Sequence, residues 1–238
     1  MAIQTRLVEY HDGNTLLEGY MAWDDTGGAR PGILISHAWG GRDGFVEEKA
    51  RELAAEGYTA FALDMYGKGV RGNTREECAA LMTKLTDDRA GLQKRINAAL
   101  TTLAGQPEVD AQRIAAIGFC FGGLCVLDLA RRGAELRSVI SFHGLLGAPG
   151  NTGGRSIKAA VLVLNGHDDP MVSAADIAAL QEDLTRAGCD WQFHNYGRTM
   201  HAFTNPVAND PDFGTVFNAT TNRRAWQTAR NFLAETLN

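Results

Sequence analysis

The sequence predicts a three-layer α/β fold in which a mostly parallel central sheet is covered by helices on both faces. Apolar segments of strand length alternate with segments of helical periodicity between residues 32 and 237. The internal strands are apolar nearly throughout, which is typical of parallel strands that are buried on both faces. The 238 residues are 45% hydrophobic and 21% charged, so we expect one domain over residues 1–238 with a single sizeable core.

The first element is predicted to be a short N-terminal antiparallel hairpin. The segments "IQTRLVEY" and "LLEGYMAW" are strand-like, and "HDGNT" lies between them. The pair Asp12-Gly13 is a strong hairpin turn signal. The segment "DDTGGARP" at residues 24–31 reads as a loop that leads into the α/β region.

The α/β region begins with a strand at 32–37, a helix in "DGFVEEKARELAAEGY" that Gly57 can end, and a strand at 59–67. Residues 76–103 are helical but broken near 86–88, where Thr86 or Asp87 can cap the second helix. The remaining elements are a strand at 113–119, a helix from 122 to about 133, strands at 136–144 and 158–166, a helix at 174–188, a strand at 189–196 and a helix at 220–237.

Candidate functional residues follow the strands, because folds of this kind place their sites at the carboxyl ends of parallel strands. The residues in such positions are His37-Ala38-Trp39, Asp64-Met65-Tyr66, Cys120, His143, Asp168-Asp169 and His201.

Cys120 lies in "IAAIGFCFGG", between a predicted strand and a predicted helix. This segment has the pattern small-x-nucleophile-x-small, where x is any residue. The pattern is that of the nucleophile turn of the α/β-hydrolase fold, here with cysteine in place of serine. The turn is so tight that side chains at Gly118 and Gly122 would collide with neighbouring backbone, while Gly123 lets the helix pack closely. A helix N-terminus favours the thiolate. The alternative interpretation is a buried structural thiol.

A nucleophilic thiol needs a base and an orienting carboxylate. The α/β-hydrolase order is nucleophile, acid, histidine. Asp168 and Asp169 follow the next suitable strand, and His201 lies in the last strand-to-helix loop, so the order is met. We favour Asp169 as the acid because Pro170 fixes its turn, which leaves Asp168 as a solvated or capping residue.

Taken together, these motifs resemble those of the dienelactone hydrolase family, and the resemblance extends over nearly the whole chain. "GFCFGG" is similar to the family's G-x-C-x-G-G, "GHDDPMV" to its G-x-x-D-x-x-V, and "MHAFTNP" to its G-H-x-F segment. "LISHAWGG" with the following "FVEEKARELAAEGYTAFALDMYG" resembles its first strand-helix-strand unit. The resemblance implies that Cys120 is the nucleophile, Asp169 the orienting acid and His201 the base.

The chain departs from this family at Ala38, where many members carry a glutamate that holds the resting cysteine. We therefore expect Cys120 to rely on His201 alone, either as a standing thiolate–imidazolium pair or by direct proton transfer. The arginines with which the family binds a substrate carboxylate cannot be placed by motif; the candidates are Arg42, Arg71 and Arg198.

Hydrolysis through an acyl-enzyme also needs donors for the tetrahedral oxyanion. We expect these to be the backbone N–H groups of Phe121 and Trp39, and we expect no metal or organic cofactor. Residues at the strand ends are predicted to line an aromatic substrate pocket. They are Trp39, Met65, Tyr66, Phe121, His143, Met171 and Phe203.

The predicted function is that of a carboxylic ester hydrolase that cleaves small esters or lactones. Two alternatives are a carboxymethylenebutenolidase, that is, a true dienelactone hydrolase of aromatic degradation, and a protein of this fold that binds a ligand without turnover. The net charge of −5 argues against nucleic acid and anionic membranes as partners, and no apolar run reaches membrane-spanning length. We expect a cytoplasmic protein that is a monomer or a weak homodimer.

The cysteines fit this interpretation of the cell compartment. Their spacing matches no zinc motif, and a disulfide framework is not expected in a reducing compartment. Except for Cys120, we interpret them as small buried apolar residues; they are Cys78, Cys125 and Cys189.

Overall fold

Eight strands form one sheet in the computed structural model, which describes residues 2–238. The strands are β1 Ile3–Asp12, β2 Thr15–Asp24, β3 Arg30–Ser36, β4 Thr59–Ala62, β5 Val109–Phe119, β6 Ser138–Phe142, β7 Ala160–Gly166 and β8 Trp191–Tyr196. Their order is β1-β2-β4-β3-β5-β6-β7-β8, and the strands from β4 to β8 in this order are parallel to their neighbours. The predicted mostly parallel α/β sheet is confirmed.

The predicted N-terminal hairpin is also present, but it is part of the main sheet. β1 and β2 pair antiparallel along their whole length, and β2 then pairs antiparallel with β4, with Tyr20 opposite Ala62. The hairpin thus extends the parallel sheet by two antiparallel strands at one edge.

Six helices cover the two faces of the sheet. They are α1 Gly44–Ala55, α2 Arg75–Thr86, α3 Arg89–Ala104, α4 Phe121–Arg131, α5 Ala174–Arg186 and α6 Ala219–Leu237. The buried residues of α1 and α6 share one hydrophobic cluster, whereas those of α2 to α5 belong to the cluster on the other face.

Successive residues of the central strands contribute to these two clusters in turn. In β3, Leu34 belongs to the cluster with α3 and α4, and its neighbours Ile33 and Ile35 belong to the cluster with α1 and α6. Because side chains alternate between the faces of a strand and both faces are covered, every position must be apolar. This explains the unbroken apolar strands of the sequence.

The break in the long helical segment lies where it was predicted, but its cap is a different residue. The N-cap of α3 is Asp88, whose carboxylate accepts a hydrogen bond from the N–H of Gly91 at 2.9 Å. Asp87 keeps a helical backbone and ends α2, so its side chain does not start the next helix.

The strand predicted at 59–67 ends at Ala62, because the chain turns at Asp64. The buried carboxylate of Asp64 accepts hydrogen bonds from the N–H groups of Tyr66 at 2.8 Å and Gly67 at 3.0 Å. These bonds fold the chain back over the end of the sheet.

A small antiparallel pair that we did not predict lies between His201 and α6; its strands are β9 Asn209–Asp210 and β10 Thr215–Val216. Within residues 2–238, none of the helices has the length and apolarity that crossing a membrane requires.

Candidate active site

Cys120 lies on a sharp turn between β5 and α4, at φ 56° and ψ −117°. The neighbouring glycines are required by this geometry. A Cβ atom at Gly118 would lie 2.1 Å from the carbonyl oxygen of Gly122, and one at Gly122 would lie 2.3 Å from that of Ser36. A left-handed backbone at a non-glycine residue costs about 1–3 kcal/mol, which is a strain that is typical of functional sites.

The turn lies where the chain order of the sheet reverses. β3 continues to β4 on one side and neighbours β5 on the other, so a crevice opens between the carboxyl ends of β3 and β5. The loop after β3 and the start of α4 meet at the thiol, where the backbone N–H groups of Trp39 and Phe121 lie close enough to the sulfur of Cys120 to lower its pKa. The two backbone N–H groups that we predicted as oxyanion donors therefore both lie next to the sulfur of Cys120.

His201 and Asp169 form a buried pair beside the thiol. Nδ1 of His201 lies 2.6 Å from Oδ2 of Asp169, and both residues are almost wholly buried, at 2% and 3% exposure. Asp169 is fixed in turn by the N–H of Met171, which donates to its Oδ1 at 2.8 Å. Asp168 is exposed, so the structure brings together Cys120, His201 and Asp169.

The β9–β10 pair holds the backbone of His201 in place. The N–H of His201 donates to the carbonyl of Gly214 at 2.9 Å, and its carbonyl accepts from the N–H of Val216 at 3.0 Å. A loop histidine thereby becomes a strand-like residue with a fixed orientation. The turn residues of "NDPDFGT" were the available sequence signal for this hairpin.

The electrostatics of the site favour a charged pair. Burial raises the pKa of Cys120, but the charge of His201 and the polar groups of His201, Phe121 and Trp39 near the sulfur outweigh it, so the pKa lies below the usual thiol range. Burial lowers the pKa of His201, yet the Cys120 charge and the bond to Asp169 raise it to about 10.

The ring nitrogen of His201 that does not face Asp169 is Nε2. It is buried, and it has no partner within hydrogen-bonding distance and angle. The mutual pKa shifts of Cys120 and His201 show that the two groups nonetheless interact strongly. Chemically, the arrangement supplies a thiolate, a proton donor beside it and two N–H groups at the same point.

A cavity of about 410 Å³ opens onto Cys120 and His201. Its wall is mostly apolar. The apolar residues are Ala38, Trp39, Phe45, Met82, Phe119, Leu145, Met171, Ala202 and Phe213. The Trp39 and Phe213 rings stack at 5.6 Å.

Of the seven predicted pocket residues, Trp39, His143 and Met171 line the cavity. The prediction was wrong for the other four. Met65, Phe121 and Phe203 are wholly buried, because their side chains turn from the strand ends into the hydrophobic clusters. Tyr66 is partly buried, and its hydroxyl binds the carbonyl of Trp39 behind the cavity wall.

His143 is a buried wall residue with a left-handed backbone at φ 39°. Its Nε2 lies 2.8 Å from the hydroxyl of Thr204, and its ring is 5.1 Å from that of His201. Burial and the charge of His201 hold the pKa of His143 well below its usual range, so the ring is neutral.

Among the residues that the structure describes, no lysine or arginine lines the cavity. Arg42 pairs with Glu18 and Glu47, Arg71 faces Glu47 at 3.7 Å, and Arg198 is exposed on a turn. None of the three candidate arginines is placed to bind a substrate carboxylate. Between residues 2 and 238 there is also no cluster of three or more side chains suited to hold a metal ion.

The fold defines the class of protein: it is the α/β-hydrolase fold, with a sharp turn at Cys120 between β5 and α4. The chain belongs to the dienelactone hydrolase family, whose model matches residues 17–237. The expected family resemblance is thus confirmed.

Known relatives agree with this assignment over the whole chain. The solved structure "m3DLH" is 38% identical, with a TM-score of 0.94 and 100% of both chains covered. The dienelactone hydrolase-like promiscuous phosphotriesterase P91, from metagenomic libraries, is 37% identical with the same TM-score and coverage. A protein of Aquifex aeolicus named "Putative carboxymethylenebutenolidase" is 26% identical over 95% of this chain and 96% of its own.

Proposed function

We propose that this chain is a cysteine-dependent hydrolase that cleaves neutral carboxylic esters or lactones of small substrates through an acyl-enzyme. The observation that carries the proposal is the convergence of the Cys120 thiol, the buried His201–Asp169 pair at 2.6 Å and two backbone N–H groups at one point. Each of these parts has a role in acyl transfer.

In the first half of the reaction the thiolate of Cys120 attacks the substrate carbonyl carbon. The carbonyl π electrons move to oxygen, and the N–H groups of Trp39 and Phe121 stabilise the oxyanion. When the intermediate collapses, the bond to the alkoxy oxygen breaks and His201 gives its Nε2 proton to that oxygen. The products of this half are an alcohol and a thioester on Cys120.

In the second half His201 is neutral and acts as a base. It takes a proton from water as the hydroxide attacks the thioester carbonyl, and the same N–H groups hold the second oxyanion. Collapse breaks the carbon–sulfur bond and releases the acid with the thiolate, which is again paired with the imidazolium. Asp169 keeps the ring oriented and stabilises its charge throughout.

The cavity wall restricts the substrate. An acyl or alkoxy group there meets aromatic rings and methionines. No lysine or arginine of the described residues lines the cavity to balance a substrate carboxylate, and the imidazolium of His201 is already paired with the thiolate of Cys120. Burial of an unpaired anion is costly. We therefore expect uncharged aryl and short alkyl esters to be preferred over acidic lactones.

The direct test is the hydrolysis of p-nitrophenyl acetate by the wild type, by Cys120→Ala and by the control Cys189→Ala. Cys189 is partly buried near the start of β8 and binds the carbonyl of Ala159, away from the cavity. Loss of activity in the first variant alone is expected. Equal rates in all three proteins would refute catalysis by Cys120 and leave a ligand-binding role.

The alternative of a true carboxymethylenebutenolidase is tested by the relative rates on a dienelactone and an aryl ester, in the wild type and in Ala38→Glu. We expect the wild type to prefer the aryl ester. A strong preference for the dienelactone without any carboxylate at residue 38 would overturn the inference from the cavity.

A second candidate activity is the hydrolysis of neutral phosphotriesters. P91, which is named for that activity, is 37% identical over the whole of both chains, and the mostly apolar cavity suits a neutral triester. The thiolate would displace the leaving group at phosphorus, and water would then cleave the phosphorus–sulfur bond. A p-nitrophenyl dialkyl phosphate tests this, with Cys120→Ala as the control.

A further inference from the structure

The side chains of the buried His37 and the partly buried Tyr66 hold the loop that carries the Trp39 N–H group, on the side away from the cavity. The N–H of Trp39 and the carbonyl of Ala38 belong to the same peptide unit, so the orientation of one fixes the other. His37 binds that carbonyl, and Tyr66 binds the carbonyl of Trp39 itself. Two consecutive peptide units are thereby fixed on the side away from the cavity.

The protonation state of His37 follows from its two contacts. The N–H of Met65 donates to Nε2 at 3.1 Å, so this nitrogen carries no proton. Nδ1 is then the N–H that donates to the carbonyl of Ala38 at 2.6 Å. His37 is wholly buried, and burial holds its pKa below the usual value, so the ring is neutral.

Tyr66 touches both of the residues that supply oxyanion donors. Its hydroxyl donates to the carbonyl of Trp39 at 2.8 Å, and its ring stacks on Phe121 with centroids 5.9 Å apart and planes at 18°. The ring also lies 5.0 Å from that of His37. The backbone of Tyr66 is anchored by the buried carboxylate of Asp64.

We propose that His37 and Tyr66 are positioning residues that fix the Trp39 and Phe121 N–H groups in the direction of the reacting oxygen, an inference that rests on the proposed function. A hydrogen bond to the Ala38 carbonyl also polarises its peptide unit and strengthens the Trp39 N–H as a donor. Neither side chain touches the substrate, since neither lines the cavity.

The first test is Tyr66→Phe, which removes one hydroxyl and keeps the ring stacked on Phe121. Removal of an oxyanion donor costs about 100–1,000-fold in kcat, so loosening its support should lower kcat for p-nitrophenyl acetate by about tenfold at unchanged KM. The matched control is Tyr20→Phe, whose hydroxyl binds Arg51 at the far side of β2. Equal kcat in Tyr66→Phe and in the wild type would overturn the proposal.

The second test compares His37→Asn with His37→Leu. An asparagine amide can reach the adjacent carbonyl in place of Nδ1–H, whereas leucine fills the space without donating. We expect the asparagine variant to keep more of the wild-type kcat than the leucine variant. An equal loss of kcat in both variants would count against a role for the hydrogen bond from His37. If the buried His37 variants do not fold, the Tyr66→Phe variant alone decides whether these side chains position the donors.

Alkylation by iodoacetamide separates this inference from the proposed function, because it uses the thiolate but forms no oxyanion. Above the pH at which the thiol titrates, Tyr66→Phe should react with iodoacetamide at the wild-type rate and still turn over ester more slowly. Equal losses in both reactions would indicate general damage to the site and refute positioning. Ester turnover that does not depend on Cys120 would instead refute the proposed function.

Discussion

The charged Cys120–His201 pair is open to a direct test, the replacement His201→Asn. In the wild type burial raises the pKa of the Cys120 thiol, but the charge of His201 beside it more than offsets this effect and lowers the pKa. Asparagine removes that charge and leaves the burial. The pKa of Cys120 should then rise above the value of an exposed thiol.

The size of the change follows from the two environments. Thiols beside an imidazolium or another cation have pKa values of about 3.5–7.5, whereas an unperturbed thiol has about 8.5 and a buried one more. The variant should therefore titrate at least about one pH unit higher than the wild type.

Iodoacetamide alkylation measures this shift, because only the thiolate reacts. The rate is followed against pH by mass spectrometry of the peptide that contains Cys120, with Cys120→Ser as the labelling control. The partly buried Cys189 should stay unlabelled at neutral pH, since burial raises its pKa to about 11.

An unchanged pH midpoint in His201→Asn would refute the charged resting pair. It would mean that Cys120 is an ordinary thiol in the free protein and is deprotonated only when the substrate is attacked. Asp169→Asn should give a smaller shift in the same direction, because the imidazole remains next to the sulfur.

Asp169, Gly122 and His201 each give a further expected outcome. Asp169→Asn should lower kcat/KM on p-nitrophenyl acetate by at least about 100-fold, whereas Asp168→Asn, at an exposed carboxylate, should leave it nearly unchanged. Gly122→Ala should lower the free energy of unfolding in urea by at least about 2 kcal/mol, since its Cβ would lie 2.3 Å from a main-chain oxygen; Gly147→Ala, with open space around its Cβ, is the matched control. The pH profile of kcat/KM should fall at acid pH as the thiolate is protonated and fall again only near pH 10, as His201 loses its proton; a basic limb near neutral pH would contradict the raised pKa.

The sequence predicted the fold well because the deciding signals are local. Each buried strand is a short apolar run bounded by glycine or polar residues. In each helix the apolar residues recur every three to four positions, which differs from the two-residue period of a strand. The sharp turn at Cys120 was equally visible, because the small residues on both sides of the cysteine form a local motif. Gly118 is required by a contact within the turn, with the carbonyl of Gly122, whereas Gly122 is required by the approach of the β3 strand end at Ser36. The placement of Asp169 beside His201 follows from the order of the strands.

The cavity wall was harder to predict, because the direction of a side chain at a strand end depends on the turn that follows. Phe121 shows this most clearly: its N–H faces the thiol, while its ring stacks on Tyr66 inside the hydrophobic cluster. Phe213 was missed for the opposite reason. It reaches the cavity from the two-residue strands β9 and β10, which are too short to leave a periodic pattern.

The replacement of the usual glutamate by Ala38 and the lack of a lysine or arginine around the cavity, among the described residues, point to the same substrate chemistry. Residue 38 and Cys120 line the same, mostly apolar cavity. A carboxylate at residue 38 and the thiolate of Cys120 would therefore be two like charges in one cavity, and each would raise the pKa of the other. With alanine there, the imidazolium of His201 is the one charged partner of the thiolate. Among the described residues, the rest of the cavity wall is uncharged except for the exposed Asp43. An anionic substrate entering this space would lose its hydration without gaining a cation, at a cost of several kcal/mol. We therefore expect this site to discriminate between substrates by their charge: it should exclude anionic substrates and accept neutral esters of several shapes.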